Sequence, residues 1–188
     1  MRSTEWAATP LGAAERWPQS LKTAVSICLA SGFPVVLWWG RDLRMLYNDA
    51  YRHLVGDKHP RSMGQSAREC WPEIWDTIGP MLAGVLDEGR TTYVEDLMLP
   101  LQRHGFPEEC YFTFTYSPIR VESGEVGGVF CAVTETTQRV YGARQAFALR
   151  DLASAAAEAR TYDAAAEAAL ACLRRHPEDV PFALLYLE

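Results

Sequence analysis

The stretch from Glu109 to Ile119 constrains the fold of this chain more than any other. Phe112, Phe114 and Tyr116 alternate there with Thr113, Thr115 and Ser117. Side chains on a strand point to opposite faces in turn, so a period of two makes this a strand with one apolar face that must be covered. Two more strand patterns flank it. Thr91 to Leu101 precedes it across the loop Gln102-Arg103-His104-Gly105, and Val126 to Thr134 follows it across the turn Glu122-Ser123-Gly124-Glu125. Short connections between consecutive strands make them antiparallel. Gly127 and Gly128 in the last strand mark close packing.

An earlier pair of strands stands upstream. Phe33 to Trp39 is short, apolar and rich in Val and Trp, and Gly40-Arg41-Asp42 turns it into Leu43 to Tyr47, giving a hairpin. Before it, Leu21, Ala24, Val25, Cys28 and Leu29 recur at helical spacing, which predicts a helix over Pro18 to Ala30, stopped by Ser31-Gly32. After it, Asn48 is suited to cap a short helix from Asp49 to Leu54, ended by Gly56. A further turn or helix falls between Gly64 and Cys70. Ile74, Trp75, Ile78, Leu82, Val85 and Leu86 form one stripe of a helix opened by Pro72 and closed by Gly89. Gly79-Pro80 is expected to kink or divide it.

From Thr137 to Arg160 the chain has no Pro and one Gly and is rich in Ala, Arg and Glu, the composition of a continuous helix. Val140, Ala143 and Phe147 mark one seam. Leu149, Leu152, Ala156 and Ala159 mark another, offset near Phe147. Thr161 is placed to cap a second helix that ends before His176-Pro177, and Phe182 to Leu187 reads as a strand. A lone strand cannot bury its faces, so the native chain is expected to continue. The expected division is an N-terminal segment and cap helix over 1–32, a sheet domain over 33–137, a linker helix over 138–160 and the start of another domain over 161–188.

The fold class is therefore α+β: a five-stranded antiparallel sheet with helices packed on one face, an N-terminal helix and a long C-terminal linker helix. The concave side between sheet and helices is a natural place for a small molecule. Trp39, Tyr47, Trp75, Leu82, Phe112, Phe114, Tyr116, Cys131 and Val133 are the candidate lining, with Trp38 the alternative to Trp39. These aromatics either cage an apolar ligand or fill the core outright.

Composition removes several classes of function. A net charge of −6 repels phosphate backbones, so nucleic-acid binding is not expected. The most apolar run, Ser26 to Trp39, is too short for a bilayer span and is interrupted by Gly32 and Pro34, so membrane insertion is not expected. The N-terminus has no apolar signal segment. The cysteines, Cys28, Cys70, Cys110, Cys131 and Cys172, are odd in number and include no CxxC, which argues against a disulfide framework or a zinc site. Reduced thiols fit a cytoplasmic location.

Leu46-Tyr47-Asn48-Asp49-Ala50-Tyr51, followed by Leu54, Gly56 and Gly64, resembles the PAS signature at the end of its second strand. Glu135-Thr136-Thr137 sits where PAS domains carry an Asp-Ile-Thr type exit motif, with Glu for Asp and Thr for Ile. The stretches Ala8-Thr9-Pro10-Leu11-Gly12, Trp17-Pro18-Gln19-Ser20-Leu21, 111–119 and 130–137 resemble a bacterial subgroup at the N-terminus of sensor histidine kinases. The tail from Leu149 is similar to the opening helix and first strand of a GAF domain.

The resemblance sharpens what to ask about cofactors. Light-sensing PAS domains use a Cys within Asn-Cys-Arg-Phe-Leu-Gln, whereas Cys70 lies in Arg68-Glu69-Cys70-Trp71-Pro72. Alignment puts the flavin-binding amides at Phe112 and Val133, which cannot hydrogen-bond the flavin edge. Residues 72–89 contain no His to ligate haem, and His53, His59 and His104 fall on a short helix and in loops. No phosphate loop, phosphoacceptor His or acid–base dyad is apparent. No cofactor, no metal and no catalysis are expected of this chain.

The resemblance implies a sensory and dimerisation module, probing its surroundings for a small molecule or a partner chain and relaying the result through Glu135, Thr136 and Thr137 into the following helix. A homodimer through the N-terminal and linker helices and a downstream histidine kinase output are the expected partners. A ligand-free interaction scaffold, or the input module of a phosphatase or cyclic-dinucleotide enzyme, is the alternative. The N-terminal helix could cap its own sheet or form a dimer contact, since either use buries its stripe.

Overall fold

The computed structural model describes residues 4–184, and they fall into two units that part between Thr136 and Thr137. The first unit opens with two single-turn 3₁₀ segments and helix α1 (Gln19–Ala30). Strands β1 (Val35–Trp39) and β2 (Arg44–Tyr47) follow, then short helices α2 (Arg52–Val55) and α3 (Ala67–Cys70) and helix α4 (Trp75–Glu88). Strands β3 (Thr92–Leu101), β4 (Glu108–Arg120) and β5 (Val126–Glu135) complete it. The second unit contains α5 (Thr137–Glu158) and α6 (Tyr162–Leu173).

The strands form one antiparallel sheet in the order β2-β1-β5-β4-β3. The expected alternation holds in β4: Phe112, Phe114 and Tyr116 are buried while Thr113, Thr115 and Ser117 are half-exposed. The same rule sorts β1 and β5. Val36, Trp38, Val129, Cys131 and Val133 join the core beneath α2–α4, and Val35, Leu37, Trp39, Phe130 and Ala132 face α1 on the other side. Strand β1 is covered on both faces, which is why it reads as an unbroken apolar run.

Helix α1 lays Leu21, Ala24 and Cys28 on its own sheet, so these members of its stripe cap the sheet, while Leu29 stays exposed. Its N-terminus has no local side-chain cap. Glu122, in the β4–β5 turn, supplies one instead by accepting from the Ser20 N–H at 2.8 Å.

Gly128 is required where β5 meets β1. A Cβ there would lie 2.5 Å from the Trp38 carbonyl oxygen and 2.9 Å from the Trp39 ring. Of the kink or division expected at Gly79-Pro80, division does not occur: α4 runs through both residues. The break falls earlier, where a 3₁₀ turn over Pro72–Ile74 gives way to α4. Pro80 is the sixth residue of α4 and lies inside it, so the Asp76 carbonyl goes without its usual helical donor. Residues 182–184 carry no strand, and the rest of the expected Phe182–Leu187 strand lies outside the described residues. No helix among the described residues is long and apolar enough to cross a membrane.

Candidate functional site

The site is built around Asn48, where β2 ends. Its Oδ1 accepts from the N–H of Tyr51 at 3.0 Å, the predicted cap, and from the N–H of Val35 at 3.1 Å. Its Nδ2 donates to the carbonyls of Cys28, Ser31 and Phe33 at 3.1, 3.1 and 2.8 Å. One buried amide therefore ties the end of α1, the start of β1 and the start of the helical layer together. The capping role was legible in sequence; the three carbonyls were not, because they belong to a connection that is remote until the sheet forms.

The helical layer so positioned closes a cavity of about 40 Å³ against the sheet. Phe112, Phe114, Tyr116, Cys131 and Val133 line it, all from the inner faces of β4 and β5. Trp38, Tyr51, Leu54 and Trp71 are among the residues opposite and beside them. Phe114 stacks on Tyr116 with centroids 4.6 Å apart, and Trp38 meets Tyr116 edge-on at 5.2 Å. This space admits a few water molecules, against roughly 300 Å³ and more for an ordinary small-molecule site. An organic ligand would have to displace aromatic side chains.

Four residues expected in the lining lie elsewhere. Trp39 turns to the α1 face, because it follows Trp38 on a strand and neighbours point oppositely. Tyr47 is in the same core, but its hydroxyl is engaged with Ser62 Oγ at 2.7 Å and His59 Nδ1 at 2.9 Å. Trp75 lies along its own helix, over Gly79, where a Cβ would come within 2.9 Å of the ring. Leu82 is fully buried behind the cavity wall. Tyr51, Leu54 and Trp71 have no signal in sequence: Leu54 is on the four-residue α2, Tyr51 ends the 3₁₀ turn before it and Trp71 follows α3, so none belongs to a periodicity long enough to define a face.

The electrostatics of the cavity are those of a dry, apolar site. Burial pushes the Tyr51 and Tyr116 phenols and the Cys131 thiol well above their ordinary ranges, so all three stay neutral. The indole N–H of Trp38 is buried without a hydrogen-bond partner. An unpaired buried donor costs about 1–3 kcal/mol, and Trp38 is among the residues that line the cavity.

The exit segment is held from three sides. Arg103 grips the Glu135 carboxylate through two hydrogen bonds, at 2.8 and 3.0 Å. The Thr136 N–H donates to the Tyr111 carbonyl at 2.7 Å, and the Thr136 hydroxyl donates to Asp96 Oδ1 at 2.7 Å. Asp96 occupies a register shift in β3 with φ of 49°, in the left-handed region tolerated by Asp. Its N–H is taken up by Thr113 Oγ1 at 3.1 Å. Thr137 is buried and starts α5. Arg103 and Asp96 carried no signal in sequence, since each meets its partner only across the sheet.

Solved structures share this architecture. A LOV protein from Rhodobacter sphaeroides superposes with a TM-score of 0.52 at 15% identity, covering 86% of this chain and 98% of that one. An RNA-binding light-oxygen-voltage receptor superposes at 0.51 with 18% identity, covering 76% of this chain and 40% of the receptor, so this chain spans less than half of that protein's length. A sensory box sensor histidine kinase from Vibrio cholerae gives 0.42 at 15% identity, covering 62% and 88%. At such identities the first two superpositions speak to shared fold and not to shared ligands. No curated protein matches the sequence. The sequence profile of the family described as PAS fold matches residues 30–141, more than half of the 188 residues, and the chain belongs to the PAS family.

Proposed function

We propose that this chain is the sensory and dimerisation input module of a bacterial signal-transduction protein, the N-terminal input region of a sensor histidine kinase, and that it relays its signal through the helix after Thr137. The observation that carries this reading is the anchoring of Glu135 and Thr136 by Arg103, Asp96 and Tyr111 immediately before α5 begins. A change in the sheet that alters β3 or β4 pulls on that anchor, and the anchor is continuous in the chain with a 22-residue helix. Two-state elements of this sort convert small local shifts into larger ones.

Dimerisation is supported by apolar side chains that the fold leaves uncovered. Phe147 and Leu149 on α5 are 49% and 66% exposed, and Ile27 near the end of α1 and Phe33 in the connection after it are 56% and 72% exposed. Phe147 and Leu149 belong to the two offset seams of the linker helix. Sedimentation with site-directed disulfide cross-linking at Leu149→Cys tests this. The expected result is a dimer that cross-links symmetrically; a monomer at high concentration overturns it. The reading frame beyond Glu188 tests the output: a histidine kinase domain is expected, and a phosphatase or cyclic-dinucleotide domain would replace that part of the reading.

The unpaired Trp38 N–H favours a ligand reading over a pure scaffold. The molecule would be small and largely apolar, with one hydrogen-bond acceptor. Thermal unfolding against a metabolite library should find a compound that raises the melting temperature by mass action and loses its effect in Trp38→Phe. A library without such a compound leaves the scaffold reading in place of the sensor.

A further inference from the structure

The second unit contains a cluster of metal-ligating side chains that the sensory reading does not use. Cys172 stands in the last turn of α6 and is fully buried. His176 follows four residues later, in a turn fixed by its N–H donating to the Leu173 carbonyl at 3.0 Å. Asp151 comes from α5. One ligand atom from each residue lies within 4.8 Å of the other two. The His176 Nε2 is buried with no hydrogen-bond partner and stands 3.6 Å from Asp151 Oδ2.

We propose that Asp151, Cys172 and His176 bind a divalent transition-metal ion of the zinc class. Thiolate, imidazole and carboxylate together match zinc or cobalt and exclude magnesium and calcium, which take oxygen cages. Bond lengths of about 2.0–2.3 Å at tetrahedral angles place ligand atoms roughly 3.5 Å apart, so His176 Nε2 and Asp151 Oδ2 already stand at that spacing, and the longest separation in the cluster, at most 4.8 Å, closes by about 1 Å on binding. The ion takes the lone pair of His176 Nε2, which otherwise has no partner. Cys172 gives its thiol proton to solvent as the sulfur–metal bond forms. Asp151 exchanges the Arg175 guanidinium, now 3.3 Å from its Oδ2, for the ion. Two anionic ligands and one neutral ligand balance the charge of +2, and the fourth position stays open to water or a further ligand.

The energetic need is local. Among the described residues that follow Thr137, Cys172 is the one that is fully buried, so the helical pair has little apolar core to hold it. Small units of this kind are commonly stabilised by a metal. The spacing alone could not announce the site, because the third ligand comes from another helix.

Titration of the 188-residue chain with cobalt(II) chloride tests the site. One equivalent should produce a thiolate-to-cobalt charge-transfer band in the near ultraviolet and tetrahedral d–d bands in the visible, both bleached by one equivalent of zinc chloride. Cys172→Ser should abolish the charge-transfer band. No band, or a band that survives Cys172→Ser, overturns the proposal. If Cys172→Ser does not fold, His176→Gln, which lies beyond the helix, should weaken cobalt affinity at least tenfold; unchanged affinity overturns it equally.

Discussion

Arg103 and Glu135 meet through two parallel hydrogen bonds, Nη1 to Oε2 at 2.8 Å and Nη2 to Oε1 at 3.0 Å, joining the β3–β4 loop to the last residue of β5. The hydrogen bonds to Glu135 raise the guanidinium pKa further above its ordinary range, so Arg103 stays charged. Both side chains are largely shielded from water. Arg103→Ala should lower stability by about 2 kcal/mol in urea unfolding, because it strips the shielded Glu135 carboxylate of its two-point partner. Arg103→Lys should recover less than half of that loss, since an ammonium cannot make the two-point contact.

Asn48→Ala removes five hydrogen bonds around one amide and leaves the partner groups without replacement. A loss of about 3 kcal/mol or more is expected, beyond the ~1 kcal/mol of an ordinary helix cap. Asn48→Asp keeps both acceptor contacts but sets a carboxylate against three carbonyls. It should therefore be destabilised as well, which distinguishes the anchoring role from capping alone.

The glycines of β5 and α5 should respond in opposite directions. Gly128→Ala meets the Trp38 carbonyl oxygen at 2.5 Å, a backbone atom that cannot yield without parting β1 from β5. About 2–3 kcal/mol of destabilisation is expected. Gly142→Ala, inside α5, meets nothing within 4 Å and should raise helix stability by about 0.8 kcal/mol, read from circular dichroism melts.

Acidification should weaken the first unit through Glu73. Burial alone would push its carboxyl up, but the hydrogen bond from Lys58 at 2.5 Å, the Gln102 N–H at 3.0 Å and the Lys58 charge outweigh it and hold it below the ordinary range. A carboxyl depressed in the folded state contributes stability that is present above its unfolded pKa, about 4.3, and is lost as pH falls through the folded value. Wild-type stability should thus drop below about pH 4. Glu73→Gln should cost about 1–2 kcal/mol at neutral pH and flatten that drop. Glu122, held below its ordinary range by the Ser20 N–H, should add to the same acid loss.

Thiol reagents should report on unfolding. All five cysteines are buried, and burial pushes Cys28 and Cys70 up to about 12 and Cys110 to about 11. Thiolate is then scarce as well as shielded. Labelling of Cys28, Cys70, Cys110 and Cys131, followed by mass spectrometry, should proceed at the rate of global opening; fast labelling of any of them in the native protein would contradict the packing described.

Much of this was determined by sequence alone. Period-two alternation in β4, the cap at Asn48, the helix from Thr137 and the cap at Thr161 are local, because each is fixed by side chains a few residues apart. The identity of the cavity-lining tryptophan was not local. Trp38 and Trp39 have the same chemistry and adjacent positions, and alternation says only that they part. The register of β1 on β5, with Trp38 opposite Val129 and Trp39 opposite Gly128, decides which one turns inward. The same holds for Glu122 on α1, Asp96 on Thr136 and Asp151 beside Cys172: each partner is distant in the chain, so its contact exists only once register and packing have set the distance.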